Sequence, residues 1–384
     1  IDAAAWAKEQ GIPYDQNTLF TLFIGGEGAR RAPSNWKYYH AFNQILAADM
    51  DAAGKKVVRV SYPVKDEAHL ARTVALIKQS PRVVGAVITN APDIPLKIKT
   101  ASLVDSLAGD SKAVGSINNI TKTPDGALVG EAIDGIAFAR GYEGELDGGW
   151  KGRTVTLMGA TGGAGRQIAF ALAQADIANL NIATRDILKG RDLREELLKL
   201  YPTLKIVVTT YNTTQFEHEI EGSSVVINAT PVGEGKLAGQ VPFEKVDELI
   251  TAKHTVIDMV RAPKITALIE RSYPRGARVF TGVRAAQFNS DLHVARWLKV
   301  LTGKAVDEAA LFQGIRANDR VELGNFEAEE ILRLRDKLAG LFELEYAEGA
   351  AAVEDAIREI KETAVDSQVL RVEEGRVAPA VRAE

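Results

Sequence analysis

The sequence predicts an α/β protein in two units: an N-terminal α/β unit followed by a doubly wound one, with a helical C-terminal extension. Two observations predict this. Short apolar, β-branched runs alternate with amphipathic helical stretches as far as about residue 300, the pattern of βαβ units and parallel sheets. One run, "TVTLM" (154–158), passes through the glycine-rich "GATGGAG" straight into a helical stretch. A length of 384 residues is enough for two cores of ordinary domain size.

Each element has its own signal. "LFTLFI" (19–24) is an apolar run of strand length, followed by "GGEGARRAP". Trp36, Tyr39, Phe42, Ile45 and Leu46 recur at helical spacing and predict a helix over 35–50. "KKVVRVSYPV" (55–64) and "VVGAVITN" (83–90) read as strands, with the amphipathic helix "DEAHLARTVALIKQ" between them. The glycine- and acid-rich "GYEGELDGGWKG" (141–152) reads as a linker. Beyond it, "NLNIATRD", "LKIVVTTY", "SSVVINATPVG", "HTVIDMV" and "ARVFTG" are further strands, spaced as in a doubly wound fold. Residues 285–301 return to helical spacing, and from about Asn318 the chain is charged and helical before losing pattern after Val365. The predicted domains are 1–147, completed by a helix at 285–317, then 148–284, then the extension 318–384, a packing or dimer element.

Composition narrows the function. Charged residues are 26% and hydrophobic ones 46%, as in ordinary globular domains. A net charge of −4 gives no bulk attraction to nucleic acid or to anionic membrane. The chain has no cysteine, which rules out disulfides, thiolate metal ligands and Cys nucleophiles, and its five histidines show no metal-ligand spacing. No apolar run reaches the length of about 18 residues that spans a bilayer, and no signal peptide opens the chain. A cytoplasmic enzyme for a small molecule is expected, with no metal and no nucleic-acid or membrane partner.

The glycine turn has a specific physical logic. Glycines let the backbone turn tightly and approach a pyrophosphate, and the helix N-terminus offers free N–H groups. Gly159, Thr161, Gly162, Gly163, Ala164 and Gly165 are therefore candidate contacts of a dinucleotide in a Rossmann-type domain. The next strand ends in Thr184, Arg185 and Asp186, with Lys189 beyond. A basic residue there pairs with the 2′-phosphate of NADP, and an acidic one takes the ribose hydroxyls of NAD. Arg185 and Lys189 together favour NADP; Asp186 leaves NAD open.

Near the first unit's third strand, "DIPLKIKT" (93–100) follows Pro92 and contains Pro95. Prolines end strands, so Lys97 is expected at a strand exit, in a stiff turn, where taken alone it reads as a solvated surface lysine. Asn118 and Asp134 follow 21 and 37 residues later, in "GSINN" and "AIDG". Here the sequence resembles the shikimate dehydrogenase family, with its N-V-T-x-P-x-K turn, later G-A-V-N-T and N-T-D-G, at similar offsets. The resemblance continues through "INATPVG", "IDMVRAPKITALI" and the closing Trp297 to Gly303, and spans roughly residues 20 to 305. It implies that Lys97 and Asp134 are the catalytic pair and that Asn118 binds substrate. Asn228, Thr230 and Gly282 complete the candidate dinucleotide contacts. Chemically, oxidising an alcohol to a ketone requires removal of a hydroxyl proton while the cofactor takes the hydride, and a lysine–carboxylate pair serves that proton.

Departures from the family cluster at the expected substrate pocket. Aligning the family's S-x-S-P-x-x-H on His40 puts Ser34 at the first serine and Trp36 at the second. The threonine of the lysine turn is Asp93, the tyrosine of D-x-V-Y is Arg261, and the glutamine of the late helix falls at Asn289. The phosphate turn, usually G-x-G-G, carries an extra residue. Trp36 removes a hydroxyl, Asp93 brings a negative charge to a pocket for an anion, and Arg261 offsets that charge or grips a carboxylate. The expectation is an NAD(P)-dependent oxidoreductase interconverting an alcohol and a ketone on a small cyclic substrate, shikimate- or quinate-dehydrogenase-like with altered substrate. Two rivals stay open: a dehydrogenase of an aminated ring or reduced pterin, and a dinucleotide-binding regulatory module without turnover.

Overall fold

The computed structural model describes residues 3–26 except 10, 12 and 13, then 57–89, 94–303 except 262 and 264, 307–308, 370–373 and 376–379. The predicted helix over 35–50, and with it Ser34 and Trp36, lies outside the described residues, as does Asp93.

The first sheet holds β1 (Leu19–Gly25), β2 (Val57–Pro63), β3 (Val83–Ile88), β4 (Ser106–Leu107), β5 (Asn119–Lys122) and β6 (Leu128–Glu131), in the order β2-β1-β3-β5-β6-β4. With it come α1 (Ala3–Glu9), α2 (Glu67–Gln79), α3 (Leu96–Ala101), α4 (Ser111–Val114) and α5 (Ile133–Glu143). The apolar runs of β1 and β3 are buried on both faces, and β1 pairs in parallel with β2 and β3, as doubly covered strands do. On α2, Leu70, Thr73, Val74 and Ile77 form the buried stripe, and the Asp66 carboxylate caps the helix by accepting from the His69 N–H. The sheet is mixed rather than parallel throughout. β5 runs antiparallel to β3 and to β6. The β5–β6 pairing comes from the tight turn between them, where "TPDG" closes with Thr123 N–H donating to Ala127 O at 2.9 Å.

The second sheet has a simpler plan. It holds β7 (Thr154–Met158), β8 (Asn179–Ala183), β9 (Lys205–Thr209), β10 (Val225–Asn228), β11 (Thr255–Asp258) and β12 (Arg278–Phe280), ordered β12-β11-β10-β7-β8-β9 and all parallel. Helices α6 (Gly163–Gln174), α7 (Ile187–Leu200), α8 (Thr214–Gly222), α9 (Val246–Leu249) and α10 (Ala267–Ser272) make the connections. The strand order reverses between β7 and β10, the topological switch point where such sheets bind ligands.

Three elements differ from the sequence expectation. Lys97 lies in a short helix, α3, because Pro95 takes the N-cap position and starts a helix as well as ending a strand. The stretch 141–152 is no loose linker: α5 runs through Gly141 to Glu143, and Trp150 is buried with its indole N–H on Ala139 O at 2.7 Å. The late helix, α11 (Gly282–Thr302), starts at Gly282 and stops at the left-handed Gly303, short of residue 317. The helical stretch expected from about Asn318 lies outside the described residues; those of the extension that are described form an antiparallel strand pair, β13 (Leu370–Glu373) and β14 (Arg376–Pro379).

Two close crossings hold α5, one against α6 of the second half and one against α11. A Cβ on Gly135 of α5 would stand 2.1 Å from the Gln167 carbonyl of α6. A Cβ on Gly141 would stand 2.1 Å from the Phe288 ring of α11. From there α11 lies back on the first sheet, its Trp297 indole donating to Ile120 O at 3.1 Å.

Candidate active site

Lys97, Asp134, Asn118 and Asn289 meet at one point, between the first sheet and the start of α6. Lys97 is buried, and its Nζ is paired with Asp134 Oδ2. The other carboxylate oxygen accepts from Asn118 Nδ2 at 2.8 Å and from the Asn289 amide on α11. Asp134 stands in the first turn of α5, where the helix dipole favours a carboxylate. That helix has no side-chain cap of its own, because its N-cap residue is Ala132. Its free amides are satisfied from outside: Asn118 Oδ1 accepts from Ile133 N–H at 2.7 Å and from Asp134 N–H at 3.1 Å. Asn118 is itself anchored by its carbonyl, which accepts from Ile88 N–H at the end of β3.

Behind Asn118 lies His293, one turn after Asn289 on α11 and fully buried. Burial pushes its pKa well below the usual range, and the cations Arg59, Lys97 and Arg296 add to this. Its Nδ1 is 2.9 Å from Asn119 Oδ1 and its Nε2 is 3.4 Å from Asn118 Nδ2. A neutral ring that donates from Nδ1 and accepts at Nε2 satisfies both contacts.

The glycine turn fits a dinucleotide. Gly159 has φ +81°, and a Cβ there would come 2.8 Å from Ala229 O, at the switch point between β7 and β10. A Cβ on Gly165 would come 2.1 Å from Gly159 O, so α6 can hug the turn only because that side chain is missing. Gly162 caps α6 without a side chain, leaving the N–H groups of Gly163, Ala164 and Gly165 at the helix mouth without helical partners. A Cβ on Gly163 would press the Lys97 stem at 3.2–3.3 Å. The turn and the lysine are therefore in contact.

No family model matches the chain. Relatives do. It is 27% identical over 264 residues to a shikimate dehydrogenase (NADP(+)) of Geobacter metallireducens, covering 68% of this chain and 88% of that protein. Its identity to the enzyme of the same name from Dehalococcoides mccartyi is 32% over 206 residues, covering 53% of this chain and 69% of that one. The chain belongs to the shikimate dehydrogenase family. Members of known structure share the fold: a shikimate dehydrogenase in complex with NADP+ superposes with a TM-score of 0.61 at 24% identity, covering 79% of this chain and 96% of the other. Quinate dehydrogenase from Corynebacterium glutamicum, in complex with NAD, gives 0.60 at 21%, covering 77% and 98%.

Within this shikimate dehydrogenase fold, the other candidates fall into four groups. Thr161 and Thr184 face each other, with hydroxyls 3.3 Å apart. Arg185 is exposed at the end of β8 with no ion pair among the described residues, while Asp186 caps α7 by accepting from Leu188 and Lys189 N–H at 3.1 and 3.2 Å. Lys189 Nζ lies 3.6 Å from the Asp186 carboxylate. Asn228 and Thr230 bond to each other, and Asn228 also reaches Val232 O and Asp258, so their side chains shape the loop after β10. Gly282 opens α11 against Met259, and Arg261 is exposed three residues after β11.

Sequence reasoning missed Gln167, Ser116 and His293, all buried among these groups. Position offered a signal for one of them: His293 is four residues after Asn289, hence on the same helical face. Among the described residues no acidic or histidine cluster suits a metal ion, and no helix is long and apolar enough to cross a membrane.

Proposed function

We propose that the chain is an NADP-dependent dehydrogenase that interconverts an alcohol and a ketone on a small cyclic substrate, with Lys97 and Asp134 as the catalytic pair. The observation that carries this is the buried Lys97–Asp134 ion pair in contact with the glycine turn. Residues 1–147 with α11 would form the substrate domain, and 148–281 the dinucleotide domain.

The turn amides at 163–165 would hold the pyrophosphate and Arg185 the 2′-phosphate. A bound nicotinamide supplies the hydride acceptor. Asp134 has both oxygens engaged, one by Lys97 and the other by Asn118 and Asn289, so it orients and does not itself reach for substrate. Lys97 keeps further N–H positions free of that bond. In the oxidative direction its neutral amine takes the hydroxyl proton as the carbinol hydride leaves; in the reductive direction its ammonium returns a proton to the forming alkoxide.

The substrate is altered from shikimate on this reading. Support comes from Trp36, Asp93 and Arg261, which replace two hydroxyl residues and a tyrosine in the family pattern. The fold tolerates such change: a 5-ketofructose reductase from a Gluconobacter strain shares it with a TM-score of 0.58 at 19% identity. Initial rates over a panel of cyclic hydroxy acids, aminated rings and reduced pterins with NADP and NAD test the proposal. Slow or absent shikimate turnover is expected, with a rise when Trp36→Ser, Asp93→Thr and Arg261→Tyr are combined. Shikimate turnover at rates normal for a dedicated enzyme would reject the altered substrate, and no turnover of any candidate would reject the enzyme.

A further inference from the structure

Gln167 lies on α6, two residues beyond the glycine turn, and is buried at 2% exposure. Its side chain makes no bond within its own sheet. Oε1 accepts from the Asp134 N–H at 3.0 Å, and Nε2 donates to Ser116 Oγ at 3.2 Å. Ser116, just before β5, donates in turn to Gly163 O at 3.1 Å. The hydrogen bonds run from the glycine turn through Ser116 and Gln167 to the backbone of Asp134.

Two further facts give this path weight. Helix α5 lacks a cap of its own, and the Asp134 N–H in its first turn, shared with Asn118 Oδ1, takes a second acceptor from the other half. The crossing at Gly135 brings α5 against the carbonyl of that same Gln167. Asp134 is therefore located by α6, by backbone contact at one atom and by hydrogen bond at another. An apolar side chain here would fill the space and leave the Asp134 amide with Asn118 alone.

We propose that Gln167 is a positioning residue that places Asp134, and through it the Lys97 ammonium, relative to the glycine turn. The proposal rests on the reading that this pair handles the proton and that the turn holds the dinucleotide.

Gln167→Met keeps the length and removes both hydrogen bonds, and Ser116→Ala breaks the path at its middle. With the best substrate found, Gln167→Met should lower kcat about 10- to 100-fold while the NADP Kd, by calorimetry, moves less than threefold. Ser116→Ala should lower kcat less. On a Lys97→Ala background Gln167→Met should cost under twofold, since residues acting through one group are non-additive. Equal losses on both backgrounds, or a loss confined to NADP affinity, would overturn the proposal. A second measurement needs no turnover: amide hydrogen exchange at Asp134 should speed at least tenfold in Gln167→Met, with the second turn of α5 unchanged. Unchanged exchange at Asp134 overturns the proposal even if the enzyme reading stands. Faster exchange in a protein without turnover supports the positioning and rejects the enzyme reading alone.

Discussion

The two sheets build their ends of the site by different means. The first holds its chemistry with side chains: Lys97, Asp134 and Asn118 converge from α3, α5 and the approach to β5. The second holds its end with backbone, where three glycines let α6 close on the turn and the switch-point loop. Apart from Gln167, which reaches Asp134, the polar side chains near its loops serve those loops. Asn228 and Thr230 bond to each other, and Asp258 joins Asn228, Val260 N–H and the Thr266 hydroxyl. A side-chain site changes chemistry with one substitution and keeps its shape; a backbone site loses shape first.

The largest test of this contrast is Lys97→Ala. Turnover should fall about 10²–10⁴-fold, the usual range for a general acid–base group, with NADP affinity preserved by calorimetry. A parallel loss of cofactor affinity would mean that the two ends are not separable in this way.

Asp258 tests the claim that the second sheet's buried charge serves shape. Burial raises its pKa to about 6, against hydrogen bonds from Thr266, Val260 and Asn228 that lower it. The unfolded value is about 3.9, so the folded form keeps its proton longer. The contribution of this group to stability is best below about pH 4 and falls as pH rises to about 6, by about 3 kcal/mol at most. Asp258→Asn removes that falling limb. Urea unfolding at pH 4.5 and 7 should show the gap between wild type and variant moving in the variant's favour at the higher pH. A gap that does not change with pH would contradict the assignment.

Glycine substitutions separate shape from mere presence of glycine. Gly165→Ala forces a methyl to within 2.1 Å of Gly159 O and should cost about 1–3 kcal/mol of stability, as overpacking does, together with dinucleotide binding. Gly222→Ala, at the end of α8, meets nothing within 4 Å and should be neutral within about 1 kcal/mol in a thermal melt. Similar effects at the two sites would undo the backbone argument.

The narrowest expected effect, confined to one cofactor, is at Arg185. Arg185→Ala should weaken NADP about tenfold, a charge-assisted bond being worth about 1.5–3 kcal/mol, and leave NAD nearly unchanged. Equal losses for both would leave the 2′-phosphate to another group.

The contrast also explains what could be read from the sequence. The glycine turn was legible because strand, turn and helix occur together, and the all-parallel order of the second sheet followed. Lys97, Asn118 and Asp134 were picked out by offsets that match the family's, and Asn289, read only as a substrate contact, turns out to bond to Asp134. Gln167 was not legible, because a polar residue on a helix reads as solvated until its neighbours are known, and His293 carried only the positional signal of lying four residues after Asn289. The antiparallel β5 and β6 were hidden by their length of four residues each, too short for periodicity. Trp150 looked like part of a linker because glycines and acids surround it, yet the indole packs against Phe138 of α5.

Helix α11 has a consequence for how the protein comes into being. It supplies Asn289 to Asp134 from 155 residues further along the chain, and its Phe288 and Trp297 close the first half's core. A ribosome adds about 5–20 residues each second, so the first half waits roughly 8 to 30 seconds for its last element. During that wait the entire second sheet is made and free to fold. The early half stays incomplete until the late helix arrives and brings Asn289 to Asp134.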